Sequence, residues 1–210
     1  SLDFGKDAYH YYDTFALRDN LGHETVSLSW PYFRSSASRR AVETFSPVPV
    51  SSCWNGMVFM PVGPFLGDSP GAERDKTTKL RFRAIPDSLA QRHLEGSECC
   101  LIHADNPLSA SHGVYLNPNV RVSYNGSVYD ALHAPRALMS PFAIWRRVWA
   151  NRIRRWCTTV LFKEGVVESR VRAWRAEGKR AADPEMRSER GQVCLINEMQ
   201  VLHERGWRHV

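Results

Sequence analysis

Four carboxylates, Asp87, Glu95, Glu98 and Asp105, crowd into the segment LRFRAIPDSLAQRHLEGSECCLIHADNPLSASHGVYLNPNVRVSY, which runs from Leu80 to Tyr124. They flank a continuous apolar run, Cys99-Cys100-Leu101-Ile102. A carboxylate is costly to bury without a partner, so acids beside such a run either face water or line a site. Placed at a site, an acid of this kind hydrogen-bonds a hydroxyl or takes its proton. His103 follows Glu98 by five residues. On a helix the two would not share a face, so a buried, hydrogen-bonded histidine is the expectation and metal ligation the lesser alternative. Asp105 and Asn106 stand before Pro107 and read as a turn, and a Pro-bracketed pair, Asn117 and Asn119, follows.

The elements that must position these acids can be read in outline. LRFRA at 80–84 alternates as a half-buried strand does. Pro86-Asp87-Ser88 then opens a helix, with Asp87 or Ser88 as N-cap and Gly96 as its stop. Ser97 would cap a second helix and put Glu98 in its first turn, where the helix dipole suits an anion; a strand through 99–104 is the competing reading. Residues 114–124 read as strand interrupted at Pro118.

Upstream, residues 1–34 read as sheet and loop with a turn at Asn20-Leu21-Gly22, and 35–50 as an extended connection ending in PVPV. Met57 to Val62 is short and apolar, as a buried strand is. The polar, turn-rich segment 67–79 holds a serine but no GxSxG, which argues against a hydrolase elbow.

Beyond Pro141 the spacing changes. Phe142, Trp145, Trp149, Ile153 and Trp156 recur every three or four residues, with Arg146, Arg147, Arg154 and Arg155 on other faces. Such a stripe predicts a helix packed on the core, a membrane-surface helix being the alternative. Helix is expected to continue through Val166–Trp174. A polar loop follows at 179–191, and a final helix or strand at 192–205 lies under Trp207.

At 210 residues, 43% apolar and 24% charged, the chain can fill one large domain or two small ones. No apolar run approaches the roughly 20 residues of a membrane-spanning helix. The net charge of +6 is uneven, because residues 135–180 carry 12 Lys/Arg against 3 Glu. A solvated basic helix is the expected meaning, since no nucleic-acid-binding motif accompanies it. The five cysteines form no CxxC and no Cys/His metal spacing. Cys99 and Cys100 read as small packed hydrophobes, and Cys53–Cys99 or Cys157–Cys194 bridges become options in an oxidising compartment. One sequon, Asn125-Gly126-Ser127, would suit a secretory protein, although Asn-Gly is a favoured hairpin pair and a tight turn is the expected reading.

SECCLIHADNP and LNPNVRV resemble the fungal family of capsule-associated α-1,3-mannosyltransferases, glycosyltransferase family 69. YYDTFALRD at 11–19 and WPYF at 30–33 are similar to its segments after the donor-binding strand, and SSCWNG at 51–56 to the loop before its acceptor site. CLINEMQVL at 194–202, with Gly206-Trp207, resembles its C-terminal signature. The resemblance spans 2–129 and 191–210, and is loose over 135–190.

That resemblance implies an α/β nucleotide-sugar transferase fold of the GT-A kind, GDP-mannose as donor, manganese as cofactor, a glycan acceptor, and residence in the Golgi lumen behind an N-terminal membrane anchor. No Asp-x-Asp metal motif occurs in the chain. In the family that motif lies before the point corresponding to Ser1, so the chain is expected to be an acceptor-side fragment, with residues 1–134 the acceptor part and 135–210 a basic helical extension packed on it. The matching acceptor pieces are Trp54-Asn55-Gly56 and the stretch Glu95 to Glu98. Glu98 is then the expected acceptor-contacting acid, with Glu95 the alternate. Trp54 would offer a sugar-stacking face and Asn55 a hydroxyl partner, with Gly56 and Asp87 beside them. Asp13, Arg18 and Asp19 would contact the donor or its diphosphate, or else serve as an internal Arg–Asp pair. A catalytically inactive glycan-binding module is the alternative to the enzyme.

Overall fold

The computed structural model describes residues 2–4, 11, 13–27, 31–67, 79–123, 125–133, 142, 145–146, 149–150, 153, 160–180, 187–198, 200–204 and 206–209. The fold is mixed α/β, built from small sheets flanked by helices. Antiparallel pairing links β2 (Arg18–Asp19), β3 (Val48–Ser52) and β5 (Val114–Leu116), with β3 central. Val48 faces Leu116 and Val50 faces both Val114 and Asp19. β3 alternates buried and half-buried positions, which its β-branched Val48 and Val50 suit. The helix α1 (Ser36–Glu43) packs on it, its N-terminus capped by Ser35. Ser38 Oγ donates to the Pro49 carbonyl at 2.8 Å, locking that helix to the strand.

Downstream come α2 (Gly63–Leu66), α3 (Asp87–Ala90), β4 (Glu95–Gly96), α4 (Glu98–Asp105) and α5 (Leu108–His112). β6 (Arg121–Ser123) pairs in parallel with β1 (Leu2–Phe4) and leads into α6 (Gly126–His133). The long α7 (Val160–Arg180) precedes a 3-10 turn at Gln192–Cys194 and β7 (Leu195–Ile196), which pairs antiparallel with β4. A hairpin of β8 (Gln200–His203) and β9 (Gly206–His209) follows.

Two apolar clusters form the core. One gathers Leu17, Phe33, Val48, Val50 and Leu116 around the β2–β3–β5 sheet. The other gathers Ile85, Leu89, Leu94, Leu101 and Leu195 around Trp174, so the segment 85–101 and the C-terminal residues 167–195 share one interior. Val167, Val171 and Trp174 recur at helical spacing on α7, and Trp174 Nε1 donates to Ser88 Oγ at 3.0 Å, satisfying its polar end in a buried position.

Several expectations are corrected. Residues 36–43 of the presumed extended connection are helical, since Ser35 caps them and no proline falls inside. Met57–Val62 is not a buried strand: Phe59 and Val62 are largely exposed. The 80–84 segment joins no sheet. α3 is a single turn, ending well before Gly96, which instead lies in β4. The run 99–104 is helix. Described members of the aromatic stripe, Phe142, Trp145, Trp149 and Ile153, are 39–68% exposed rather than packed. Their expected place in the core is taken by Val167, Val171 and Trp174. Arg147, Arg154, Arg155, Trp156 and Cys157 lie outside the described residues, as do Leu28 to Trp30 and the stretches 68–78 and 181–186.

Cysteine pairing is also corrected. Cys100 is bonded to Cys194 across 94 residues of sequence, while Cys53 and Cys99 are free thiols. Neither apolar packing of Cys100 nor a Cys157–Cys194 bridge survives, because α4 and the 3-10 turn bring Cα100 and Cα194 to 5.5 Å. Closing so long a loop removes much unfolded-chain entropy. Cys194→Ala is expected to destabilise the protein by about 2–4 kcal/mol, read as a lower urea midpoint, and adding reductant to the wild type should reproduce most of that loss.

Candidate functional site

Asp87, Glu95 and Glu98 line one open cavity of about 580 Å³, together with Phe82, Arg83, Ile85, Leu94 and Gly96. Three short elements bring them there. Asp87 stands in the first turn of α3 after Pro86, which supplies an extended backbone at φ −59° and ψ 141°. Glu95 lies on β4, held by the backbone ladder to β7. Glu98 begins α4, where Ser97 holds the N-cap position with extended backbone but makes no side-chain cap bond. Gly96 lets strand and wall meet, because a Cβ there would come within 2.6 Å of Ile85 Cγ2. Asp87 and Glu98 are exposed and Glu95 is half-buried.

Beside the acids sits an ionic clamp. Arg83 Nε and an Nη donate to Asp105 at 2.5 and 3.0 Å, and both Nη groups donate to Glu189 at 2.9 and 2.8 Å. The two carboxylates hold the guanidinium well above its ordinary range. Burial alone would raise the Glu189 carboxyl, but Arg83 and the Gly191 N–H, 2.6 Å away, bring it below its ordinary value. Arg83 is thus committed to those two partners, and the cavity presents three carboxylates against one engaged cation. That balance repels a diphosphate and suits neutral hydroxyl donors. Cys99, beside Glu98, is no nucleophile at neutral pH: burial, and then the Glu98 charge, push its thiol up to about 11.

Trp54 meets the cavity rim through Phe82, with ring centroids 5.5 Å apart and planes at 83°. The Trp54-Asn55-Gly56 loop turns sharply, both Asn55 (φ 55°) and Gly56 (φ 71°) lying in the left-handed region that Asn and Gly tolerate. Asn55 is fully buried and its backbone N–H donates to Asp13 Oδ2 at 3.1 Å, while Gly56 is exposed. The structure therefore places Asp13 as the brace of this loop, its second oxygen accepting from Ala16 N–H at 3.3 Å.

Arg18 and Asp19, expected at the diphosphate or paired with each other, lie at 0% exposure among backbone groups. Arg18 donates to the carbonyls of Phe15, Leu17, Val193 and Cys194. Burial pulls its guanidinium below the ordinary value, partly offset by the charges of Glu24, Glu164 and Asp13. Asp19 accepts from the N–H groups of Leu21, His23 and Ser35 at 3.0, 3.0 and 2.7 Å.

His103 borders a second, more apolar cavity of about 370 Å³ with Cys53, Met57, Phe59, Asn106 and Tyr115. Its Nε2 donates to the Cys53 carbonyl at 2.7 Å, and burial, opposed by that bond, lowers its pKa. Asp105 is not a turn residue but the end of α4 and the partner of Arg83. Asn106 does turn the chain, its Oδ1 accepting from Leu108 N–H. Asn117 and Asn119 form a local turn in which Asn119 also donates to the Phe45 carbonyl. Among the described residues no three His, Cys, Asp or Glu side chains converge as a metal site requires.

The family profile described as Cryptococcal mannosyltransferase 1 matches residues 1–105, half of the 210-residue chain. The chain belongs to that mannosyltransferase family. No curated protein and no solved structure matches it. The matched span contains every wall of the acid cavity, since its lining residues run from Phe82 to Glu98. Reading the sequence of this family member gives Phe82 and Arg83 only as strand positions and does not reach Glu189. The Arg83 charge inside an apolar alternation is the one local signal of an inward ion pair.

The clamp has a defined pH dependence. Folded Glu189 titrates below its ordinary value of 4.5, so near that pH the unfolded chain binds more protons. Its stabilisation is present above that value and drains away as pH falls through the lower, folded value. Glu189→Gln should melt below wild type at neutral pH, with the deficit closing in acid; a deficit that persists there would show that charge is not its origin. Arg83→Met, which strands Glu189 in the interior, should cost about 1–3 kcal/mol in urea unfolding.

Proposed function

We propose that this chain carries the acceptor side of a retaining α-1,3-mannosyltransferase that moves mannose from GDP-mannose to a cell-surface or capsular glycan. The observation that carries the reading is the single cavity lined by Asp87, Glu95 and Glu98, within the matched span, with an aromatic pair at its edge. Glu98 is assigned as the acid that accepts the hydrogen bond of the attacking hydroxyl or takes its proton, and Glu95 as its alternate. Asp87 and the Trp54–Phe82 pair hold the remaining hydroxyls and the apolar face of the sugar. As the new glycosidic bond forms at the mannose anomeric carbon, its bond to the diphosphate breaks and GDP departs.

In this proposal manganese and GDP-mannose are held by residues other than those described. In the same proposal residues 1–134 are the acceptor part and 135–210 a basic extension, joined to it among the described residues through Val167, Val171, Trp174 and Leu195. A secretory, Golgi-lumenal location is supported by the Cys100–Cys194 disulfide, a bond that persists in oxidising compartments. No helix among the described residues is long and apolar enough to cross a membrane. The reading of an inactive glycan-binding module shares the cavity and differs only in turnover.

Two measurements test the proposal. In an intact enzyme carrying this segment, Glu98→Gln should cut turnover by about 100-fold or more, as removal of a positioned acid–base group does. Donor affinity and melting temperature should hold, because Glu98 is exposed and is assigned to the acceptor. A near-wild-type rate in Glu98→Gln with a dead Glu95→Gln would move the role to Glu95. Calorimetric titration of the present chain with GDP-mannose and manganese should show no micromolar binding; tight binding would overturn the assignment of the donor to other residues.

A further inference from the structure

We propose that Asn125 is an N-glycosylation site, occupied by an oligosaccharide delivered from a lipid-linked diphosphate donor. Asn125-Gly126-Ser127 is the one Asn-x-Ser/Thr sequon in the sequence. The Asn-Gly pair suggested a hairpin turn, but the structure puts it elsewhere. It forms the entry to α6, and all three residues are exposed.

The local geometry suits the modification. Asn125 Oδ1 accepts from Ser127 N–H at 3.0 Å and from Ser127 Oγ at 2.7 Å, so the serine hydroxyl already bonds the amide whose nitrogen reacts. Among the described residues no hydrogen bond engages Asn125 Nδ2. Around Gly126 the space is open: beyond its chain neighbours and its own helix backbone, no atom among the described residues lies within 4 Å of where a Cβ would stand. Among the described residues nothing crowds that position, and neither cavity includes Asn125.

The Cys100–Cys194 disulfide is the independent observation. It marks the chain as one that matures in an oxidising lumen, where oligosaccharide transfer to sequons takes place, and on this point the inference rests on the secretory reading above. In the reaction Asn125 Nδ2 bonds to C1 of the first sugar while the bond from C1 to the diphosphate breaks. The lipid diphosphate leaves, and the lost Nδ2 proton passes to a base of the transferase.

The test is intact-mass analysis of the chain secreted from a eukaryotic host, before and after peptide-N-glycosidase treatment. The expected result is one glycan per chain, removed by the amidase with conversion of residue 125 to an aspartate. Ser127→Thr should remain modified and Ser127→Ala should not. Asn125→Asp should also emerge bare and melt as the amidase-treated wild type does, because that treatment leaves the same aspartate at residue 125; a chain that never carried the glycan and one stripped of it then share one fold, and the loss of the glycan is not misfolding. Secreted chain with Cys100–Cys194 closed and Asn125 bare would overturn the proposal and leave the secretory reading standing. Both cysteines reduced in the secreted chain would overturn that reading and the proposal with it.

Discussion

The C-terminal segment 191–196 is gripped from two sides, and the position of the acid cavity depends on that grip. From one side the buried Arg18 guanidinium donates to the carbonyls of Val193 and Cys194. From the other, Cys194 is bonded to Cys100 in the first turn of α4. Between them β7 pairs with β4 through Glu95–Ile196 and Gly96–Leu195. The strand that carries Glu95 and the helix that carries Glu98 are therefore both held by residues far away in the chain. A cation surrounded by carbonyls rather than by a carboxylate is tolerated at full burial because four acceptors share its N–H groups, with more distant acids supplying charge.

Acids in this protein fall into two populations that composition cannot separate. Asp13 and Asp19 spend their oxygens on backbone N–H groups of tight turns. Asp105 and Glu189 share Arg83, and Glu177 faces Arg92 and Arg187 at the surface. These are architectural, each matched to the donors around it. Asp87, Glu95 and Glu98 line a cavity whose guanidinium, that of Arg83, is already committed to two other carboxylates. Acidic charge gathered around an opening is the condition under which a carboxylate can serve a ligand rather than the fold.

How far the sequence discloses this can be judged element by element. Glu98 in the first turn of α4 is legible, because Ser97 followed by an acid is a local N-terminal signal. The break of strand at Pro118 and the helix through Trp174 are legible for the same reason: proline chemistry and apolar periodicity act within a few residues. What escapes detection is non-local. Arg18 and Asp19 look like donor ligands because a guanidinium suits a diphosphate and a carboxylate suits sugar hydroxyls, and only the carbonyls of residues 193–194 and the amides of 21, 23 and 35 reveal their work. The Cys100–Cys194 pair cannot be chosen over other pairings from spacing alone. The aromatic stripe from Phe142 has helical period, but period says only that one face is apolar, not that the core lies beneath it. Asn125-Gly126 misleads because the same pair serves a hairpin or a helix start, and the Ser127 N–H and hydroxyl decide between them.

The sign of the cavity bears on which half of a transfer reaction it can serve. A nucleotide diphosphate brings negative charge that needs cations, and the one guanidinium in the cavity wall, that of Arg83, is bound to Asp105 and Glu189. Freeing it would strand two carboxylates, one of them buried, so the fold resists lending it to a ligand. A glycan hydroxyl brings an O–H donor on a sugar with an apolar ring face, which three carboxylates and an aromatic edge can satisfy without any such exchange. The loop that carries Trp54 is tied through Asp13 to the same N-terminal segment that supplies Arg18. Aromatic rim and acidic wall are thus set by polar bonds from one N-terminal segment: a shift of the rim loop would break the backbone contact of the half-buried Asp13, and a shift of the wall would break those of the fully buried Arg18.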